Sequence, residues 1–167
     1  MKIKIIGFLL TILSTINYSS AQNNININEG SGSFIIQGGA GFENVELTIY
    51  YHKPKKFSKS TKVLVVIPGS GRNGDSYRDS WIETSEKHNV LILSPSYPEK
   101  NYNYGGYHLG NMIAVLDLSK GFTYKKGTNQ VWMDENIAEF NFNSKQEEWI
   151  YSDFDRIFST AKKALKF

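Results

Sequence analysis

Two runs in this chain, Val63-Leu64-Val65-Val66-Ile67 and Val90-Leu91-Ile92-Leu93, contain no polar residue, and each closes on a turn-forming pair, Pro68-Gly69 or Ser94-Pro95. Unbroken aliphatic runs of this length read as strands covered on both faces, the habit of a parallel sheet. The segment between them, Asp75 to Lys87, has Tyr77, Trp81 and Ile82 at helical spacing, Ser76 and Asp79 spaced as a capping box, and Lys87 and His88 near its end. These are helix start and stop signals. Parallel strands need a crossover of this kind, so the expected fold class is α/β.

The flanking segments fit the same class. Val45, Leu47, Ile49 and Tyr51 alternate with polar residues up to Lys53-Pro54, a period of two that predicts a strand with one buried face. Phe34 to Gln37 is a candidate short strand before it. Near the other end, Ile150, Phe154, Ile157, Phe158, Ala161, Ala164 and Leu165 fall on one face of a helix, with Ser152 and Asp155 at capping-box spacing. Gly105 to Met133 is rich in Gly and Tyr without steady periodicity and is expected to be a long surface excursion. No repeat or heptad pattern is visible.

Lys2 and Lys4 precede an apolar stretch from Ile5 to Ile16, and Ser19-Ser20-Ala21 supplies small residues after it. This order is that of a secretory signal over Met1 to Ala21, and the interrupted apolar run is shorter than the roughly 20 residues of a spanning helix. No stable membrane anchor is expected after cleavage, and the mature chain is expected outside the cytoplasm, secreted or periplasmic. Residues 22–32, rich in Asn, Ser and Gly, read as a flexible leader, and 33–167 as one domain. Removing the signal lowers the net charge from +3 to +1, and the lysines are scattered, so nucleic acid is not an expected partner. The absence of cysteine excludes a disulfide scaffold, a thiolate zinc site and a cysteine nucleophile.

The richest segment for chemistry is Pro68-Gly69-Ser70-Gly71-Arg72-Asn73-Gly74-Asp75-Ser76, between a strand and a helix, where free backbone N–H groups favour an anion. Gly69, Gly71 and Gly74 match the G-x-G-x-x-G dinucleotide spacing, but the next strand ends in Ser94-Pro95 where an acidic residue should hold the ribose. As a P-loop the segment has Asp75 where a lysine is required. Gly74-Asp75-Ser76 matches the Gly-Asp-Ser of another esterase class, yet no Asp-x-x-His follows. The fourth reading is an oxyanion hole, in which backbone N–H groups after a central strand await the negative oxygen of a tetrahedral intermediate. A turn that merely closes a strand–helix connection is the structural alternative.

The run Val65 to Gly74, followed by Tyr77-Arg78-Asp79, Trp81, Leu91 to Pro95, Tyr107 and Gly110-Asn111, resembles the N-terminal part of secreted bacterial α/β hydrolases, over about Val45 to Phe167. The resemblance implies part of an α/β-hydrolase-type sheet, incomplete in this chain, and places the Gly-rich turn after the third strand in the oxyanion hole. Ser70 and Gly71 would then offer N–H groups and Gly69 would permit the turn. Pro68 stands where the family commonly has a His. The implied substrate is a small-molecule or polymer ester, with no cofactor and no metal.

The nucleophile of such an enzyme sits in G-x-S-x-G, followed by an acid and a His. That motif occurs nowhere: Ser70 is flanked by Pro68 and Arg72, and Ser76 by Gly74 and Arg78. In the family a nucleophile strand would follow the Ile150 to Leu165 helix, so the expectation is the front half of a longer hydrolase, inactive as it stands. His52, His88 and His108 each have an ordinary structural reading, and His108 with Asp117 is the one pairing to test as a metal site. Tyr97, Tyr102, Tyr104 and Tyr107 either line a glycan or peptide surface or pack their own loop. Two classes therefore stand: an exported serine hydrolase represented by its oxyanion-loop portion, and a secreted binding module that does no chemistry.

Export gives a direct expected outcome. N-terminal sequencing of material recovered outside the cytoplasm should begin at Gln22, whereas recovery of intact Met1 in the membrane fraction would contradict the signal assignment.

Overall fold

The computed structural model describes residues 25–102, 107–108, 110, 113–116, 122–124, 131–133, 138–140 and 143–166. Residues 1–21, read above as a secretory signal, and the cleavage site expected after them lie outside these residues. The elements run β1 (Gly30–Gln37), β2 (Glu46–Lys53), β3 (Lys62–Val65), α1 (Gly74–Asp79), α2 (Ile82–His88), β4 (Val90–Ser96), β5 (Ile113–Leu116), β6 (Phe122–Tyr124), β7 (Val131–Met133), β8 (Ala138–Phe140) and α3 (Asp153–Leu165). Short 3-10 turns at Gln146–Glu148 and Ile150–Ser152 lead into α3.

The principal sheet has the order β1-β2-β4-β3. β3 and β4 are parallel, in register from Lys62 opposite Val90 to Val65 opposite Leu93, so the expected crossover is present. β2 pairs antiparallel with both β1 and β4. Leu91, Ile92 and Leu93 are fully excluded from solvent, as a central strand covered on both faces must be. Leu47, Ile49 and Tyr51 of β2 are buried on one face together with Phe34 and Ile36 of β1, the alternation predicted for a half-buried strand. Burial of each such aliphatic side chain stabilises the fold by about 1.5–3 kcal/mol.

Several expectations are corrected. The Val63–Ile67 run is not covered on both faces: β3 ends at Val65, its residues are half-buried, and Ile67 is 43% exposed. Its apolar content reflects a strand at the edge of the described sheet, with β4 as its described partner. The first strand is longer than Phe34 to Gln37 and begins at Gly30, inside the segment assigned to a leader, because the antiparallel register with β2 continues to Gly30 opposite Lys53. The single helix expected over Asp75 to Lys87 is two, broken at Ser80-Trp81. Neither α1 nor α3 carries a side-chain N-cap bond, so the capping boxes are not formed; the Ser152 hydroxyl donates instead to the Gln146 carbonyl. Trp81 and Phe158, counted on apolar helix faces, are exposed. The Gly105 to Met133 excursion contains strands: β6 pairs with β7, and β5 pairs with β8.

Helix α1 packs closely on the sheet because Gly74 begins it. A Cβ at Gly74 would lie 2.9 Å from the Ser94 carbonyl oxygen and 3.0 Å from the Tyr50 ring. Arg78, one turn later, is buried; its Nη1 donates to the Gly32 and Tyr51 carbonyls at 3.2 Å each, and its Nε meets Asp79 at 2.6 Å. Helix α2 ends at Asn89, whose φ of 52° supplies the left-handed cap that Asn tolerates.

On the other face of the sheet, α3 buries Ile157 and Ala161 in the core that also holds Ile27, Tyr97, Tyr102, Tyr107 and Ile150. It also buries Asp153, 2% exposed and paired with Arg156, whose Nη1 donates to the Gln37 carbonyl at 2.5 Å and the Gly38 carbonyl at 2.6 Å. One guanidinium thus neutralises the buried carboxylate and fastens α3 to the end of β1. Burial pushes the Asp153 carboxyl above its ordinary range, and Arg156 pulls it part of the way back.

Two outcomes follow from this packing. Gly74→Ala should destabilise the chain by about 1–3 kcal/mol, read as a lowered denaturant midpoint, because the backbone that the methyl meets cannot yield without lifting α1 from β4. Arg156→Met should cost about 1–3 kcal/mol at pH 7, by leaving a buried carboxylate without its half-exposed cation. A carboxyl whose pKa is raised on folding favours the folded state most when protonated, and that contribution falls as pH climbs from the ordinary aspartate range through the raised value. Removing Arg156 raises it further, so the deficit of Arg156→Met should narrow between pH 7 and pH 5 in thermal melts. A constant or widening deficit would contradict this account.

Candidate functional site

The glycine segment leaves the carboxyl end of β3. The Val66 N–H donates to the Leu93 carbonyl at 2.8 Å, which carries the parallel pairing one residue past β3. Pro68 is then buried, and its carbonyl accepts the Tyr107 hydroxyl at 2.5 Å. The chain turns at once: the Arg72 N–H donates to the Gly69 carbonyl at 2.9 Å. Arg72 itself has a φ of 51°, a left-handed conformation that costs a residue with a Cβ about 1–2 kcal/mol. Its carbonyl is tied by the Ser96 hydroxyl at 2.6 Å and the Gly74 N–H at 3.1 Å, so the turn is held to the end of β4 and to the start of α1.

Gly69 is half-buried because Tyr77 crowds it; a Cβ there would lie 3.0 Å from the Tyr77 hydroxyl. Ser70 and Gly71 are exposed at the tip. Their N–H groups have no acceptor among the described residues, while the surrounding turn is fixed by the bonds above. Two adjacent donors without an acceptor, on a braced turn after a parallel strand, are available to an acceptor from outside the described residues.

The Arg72 side chain folds inward. It is 5% exposed, its guanidinium lies 4.9 Å from the centre of the Tyr107 ring, and Nε and Nη1 are buried without a hydrogen-bond partner among the described residues. Burial raises the Tyr107 hydroxyl above its ordinary range, with Arg72 opposing that shift, so the phenol stays protonated and able to donate to Pro68.

The other readings of the segment gain no support from the geometry. The Asp75 carboxylate accepts the Ser76 N–H at 2.8 Å and so places negative charge at the start of α1, where a bound phosphate would be repelled. Ser76 is exposed, and its hydroxyl is bonded to no His or acid among the described residues. His88 lies in the last turn of α2, as expected. Asp117, the proposed partner of His108, lies outside the described residues, and among the described residues no group of three or more His, Asp or Glu side chains is placed to hold a metal.

The tyrosine cluster is packing. Tyr97, Tyr102 and Tyr107 are 1%, 2% and 7% exposed; Tyr97 meets Tyr102 edge to face at 5.0 Å, and Tyr102 stacks on Phe42 at 4.4 Å. Burial raises the Tyr97 and Tyr102 hydroxyls, and the nearby Asp153 carboxylate raises them further. These three rings present no face to a glycan or peptide; Tyr104 lies outside the described residues.

One constellation escapes a sequence reading. The Ser31 hydroxyl lies 2.8 Å from His52 Nδ1, and His52 Nε2 lies 2.9 Å from Glu86 Oε1. The three residues come from β1, β2 and α2, and their only sequence signal is the register that sets Ser31 opposite His52.

No protein-family model and no curated protein matches the chain. Among solved structures, it is similar to poly(aspartic acid) hydrolase-1 from Sphingomonas sp. KT-1, with 27% identity and a TM-score of 0.58 over 83% of this chain and 42% of that one. It is also similar to the poly(3-hydroxybutyrate) depolymerase of Bordetella parapertussis, at 19% identity and a TM-score of 0.55, over 82% of this chain and 39% of that one. The chain therefore spans less than half the length of either hydrolase. Both are hydrolases of the α/β-hydrolase type, and this chain has an α/β fold containing part of that sheet.

Proposed function

We propose that the chain is the oxyanion-loop portion of an exported serine hydrolase acting on a polymer ester or related acyl substrate. The observation that carries this reading is the pair of acceptor-free N–H groups of Ser70 and Gly71 on a braced turn at the carboxyl end of a parallel strand. In the reaction, a serine oxygen attacks the acyl carbon, the carbonyl oxygen becomes negative, and these two donors stabilise it. Gly69 keeps clear of Tyr77, and Arg72, anchored through its carbonyl, holds the donors outward. The 167 residues contain no G-x-S-x-G, so the loop is proposed to act with a nucleophile, acid and His supplied outside them.

The similarity to hydrolases of poly(aspartic acid) and poly(3-hydroxybutyrate) supports a polymeric acyl substrate. Export is supported by the order of residues in Met1 to Ala21. Among the described residues no helix is long and apolar enough to cross a membrane.

The reading is tested by sequencing the DNA beyond the codon for Phe167 in all frames, expressing the extended product, and assaying it on polyester and poly(aspartic acid). A G-x-S-x-G followed by a His is expected. In that product, Gly71→Pro removes one N–H and should lower kcat by about 100-fold, some 3 kcal/mol, with KM nearly unchanged. An unaltered kcat in a variant that melts like the parent would exclude the loop as the oxyanion site.

A further inference from the structure

We propose that Ser31, His52 and Glu86 form a second nucleophilic site, separate from the glycine loop, in which Ser31 is activated toward small activated esters and phosphonyl fluorides. The proposal is independent of the oxyanion reading. The glycine loop leaves β3, whereas Ser31 lies on β1, at the opposite edge of the β1-β2-β4-β3 sheet.

The contacts order the three groups. Glu86 Oε2 accepts the Lys55 N–H at 3.3 Å, and Oε1 faces His52 Nε2 at 2.9 Å. The hydrogen bond from His52 holds the Glu86 carboxyl below its ordinary range, so it is a carboxylate and can only accept. His52 Nε2 therefore carries a hydrogen, and in the neutral ring Nδ1 keeps its lone pair. In that form the Ser31 hydroxyl, 2.8 Å from the lone pair, is the donor to it. Nucleophile, base and orienting acid are thus joined within hydrogen-bond reach, the arrangement that activates a serine. The two ring nitrogens exchange the places they hold in the common triad, which imidazole permits because either nitrogen is a base when the other is protonated.

The surroundings suit a reactive hydroxyl. His52 is 6% exposed and so held in one orientation by β2 and its neighbours, while Ser31 is exposed. Gly30 and Gly32 flank it; Gly30 has a φ of 83°, and no atom lies within 4 Å of where its Cβ would be. Arg78 Nη1 donates to the Gly32 carbonyl at 3.2 Å, which brings a buried guanidinium to the residue next to Ser31.

The step balances within the site. Ser31 Oγ forms a bond to the acyl carbon or phosphorus while its proton passes to His52 Nδ1, and the imidazolium is stabilised by Glu86. The bond to the leaving group breaks with its electron pair, and the leaving alkoxide, phenolate or fluoride takes the proton from His52. A phosphonyl adduct remains on Ser31; an acyl adduct is cleared by water, with His52 again acting as base.

The test uses the full chain and a fluorophosphonate probe, with adducts mapped by peptide mass spectrometry. The internal control is Ser33, an exposed serine of the same strand that pairs with Tyr50 rather than with a His. Ser31 should be labelled about 100-fold faster than Ser33, and the difference should vanish in denaturant. Ser31→Ala should abolish the adduct, and His52→Gln and Glu86→Gln should each slow it at least about tenfold. Equal labelling of Ser31 and Ser33 in the folded parent, a comparison that needs no variant, would overturn the proposal and leave the contacts as a cross-strand tie. So would a folded His52→Gln chain that labels at the parental rate.

Discussion

β4 must satisfy two neighbours running in opposite senses, with no exposed face on which to place a polar residue. It accepts β3 in parallel and β2 in antiparallel pairing, and Leu91, Ile92 and Leu93 are fully buried between them. The rest of the structure is arranged around this strand. The parallel edge forces a crossover, which is α1 and α2; the antiparallel edge admits β2 and, through it, β1. Where β4 ends, Ser94 limits how closely α1 can begin, so position 74 is a glycine, and Ser96 holds the carbonyl of Arg72.

The glycine turn is consequently a product of packing more than of its own glycines. Its tip is free to present N–H groups because everything beneath it is occupied: Pro68 by the Tyr107 hydroxyl, Arg72 by Ser96, and the base of the turn by Tyr77. The left-handed Arg72 makes the same point, since a conformation that costs energy persists only where several bonds over-determine it. The buried guanidinium on the Tyr107 ring adds positive charge beneath the turn.

On the opposite face the buried Asp153 and its half-exposed partner Arg156 solve a different problem. Helix α3 buries Ile157 and Ala161, with Phe154, Ala164 and Leu165 packed against the same core and Phe158 turned to solvent. Apolar contact of this kind is non-directional. Arg156, bonded to two carbonyls at the end of β1 and to the buried carboxylate, supplies a directional restraint.

The sequence by itself determined the α/β class, the parallel pairing of the two aliphatic runs, the half-buried character of β2 and the position of the glycine turn, because these depend on period and on local turn chemistry. Tertiary structure alone decided the remainder. An aliphatic run looks the same at the edge of a sheet as at its centre, so Val63–Ile67 read as doubly covered although, among the described strands, only β4 is. Tyrosines in a glycine-rich loop look exposed until Tyr97, Tyr102 and Tyr107 are seen to close one core. Capping boxes at Ser76 and Ser152 were plausible by spacing, but neither helix starts with the geometry they need. Ser31, His52 and Glu86 are 21 and 34 residues apart along the chain and meet only because antiparallel register and the crossover bring three elements to one face. No local pattern encodes such a meeting, since a hydrogen bond across elements depends on register and packing, which are properties of the whole sheet.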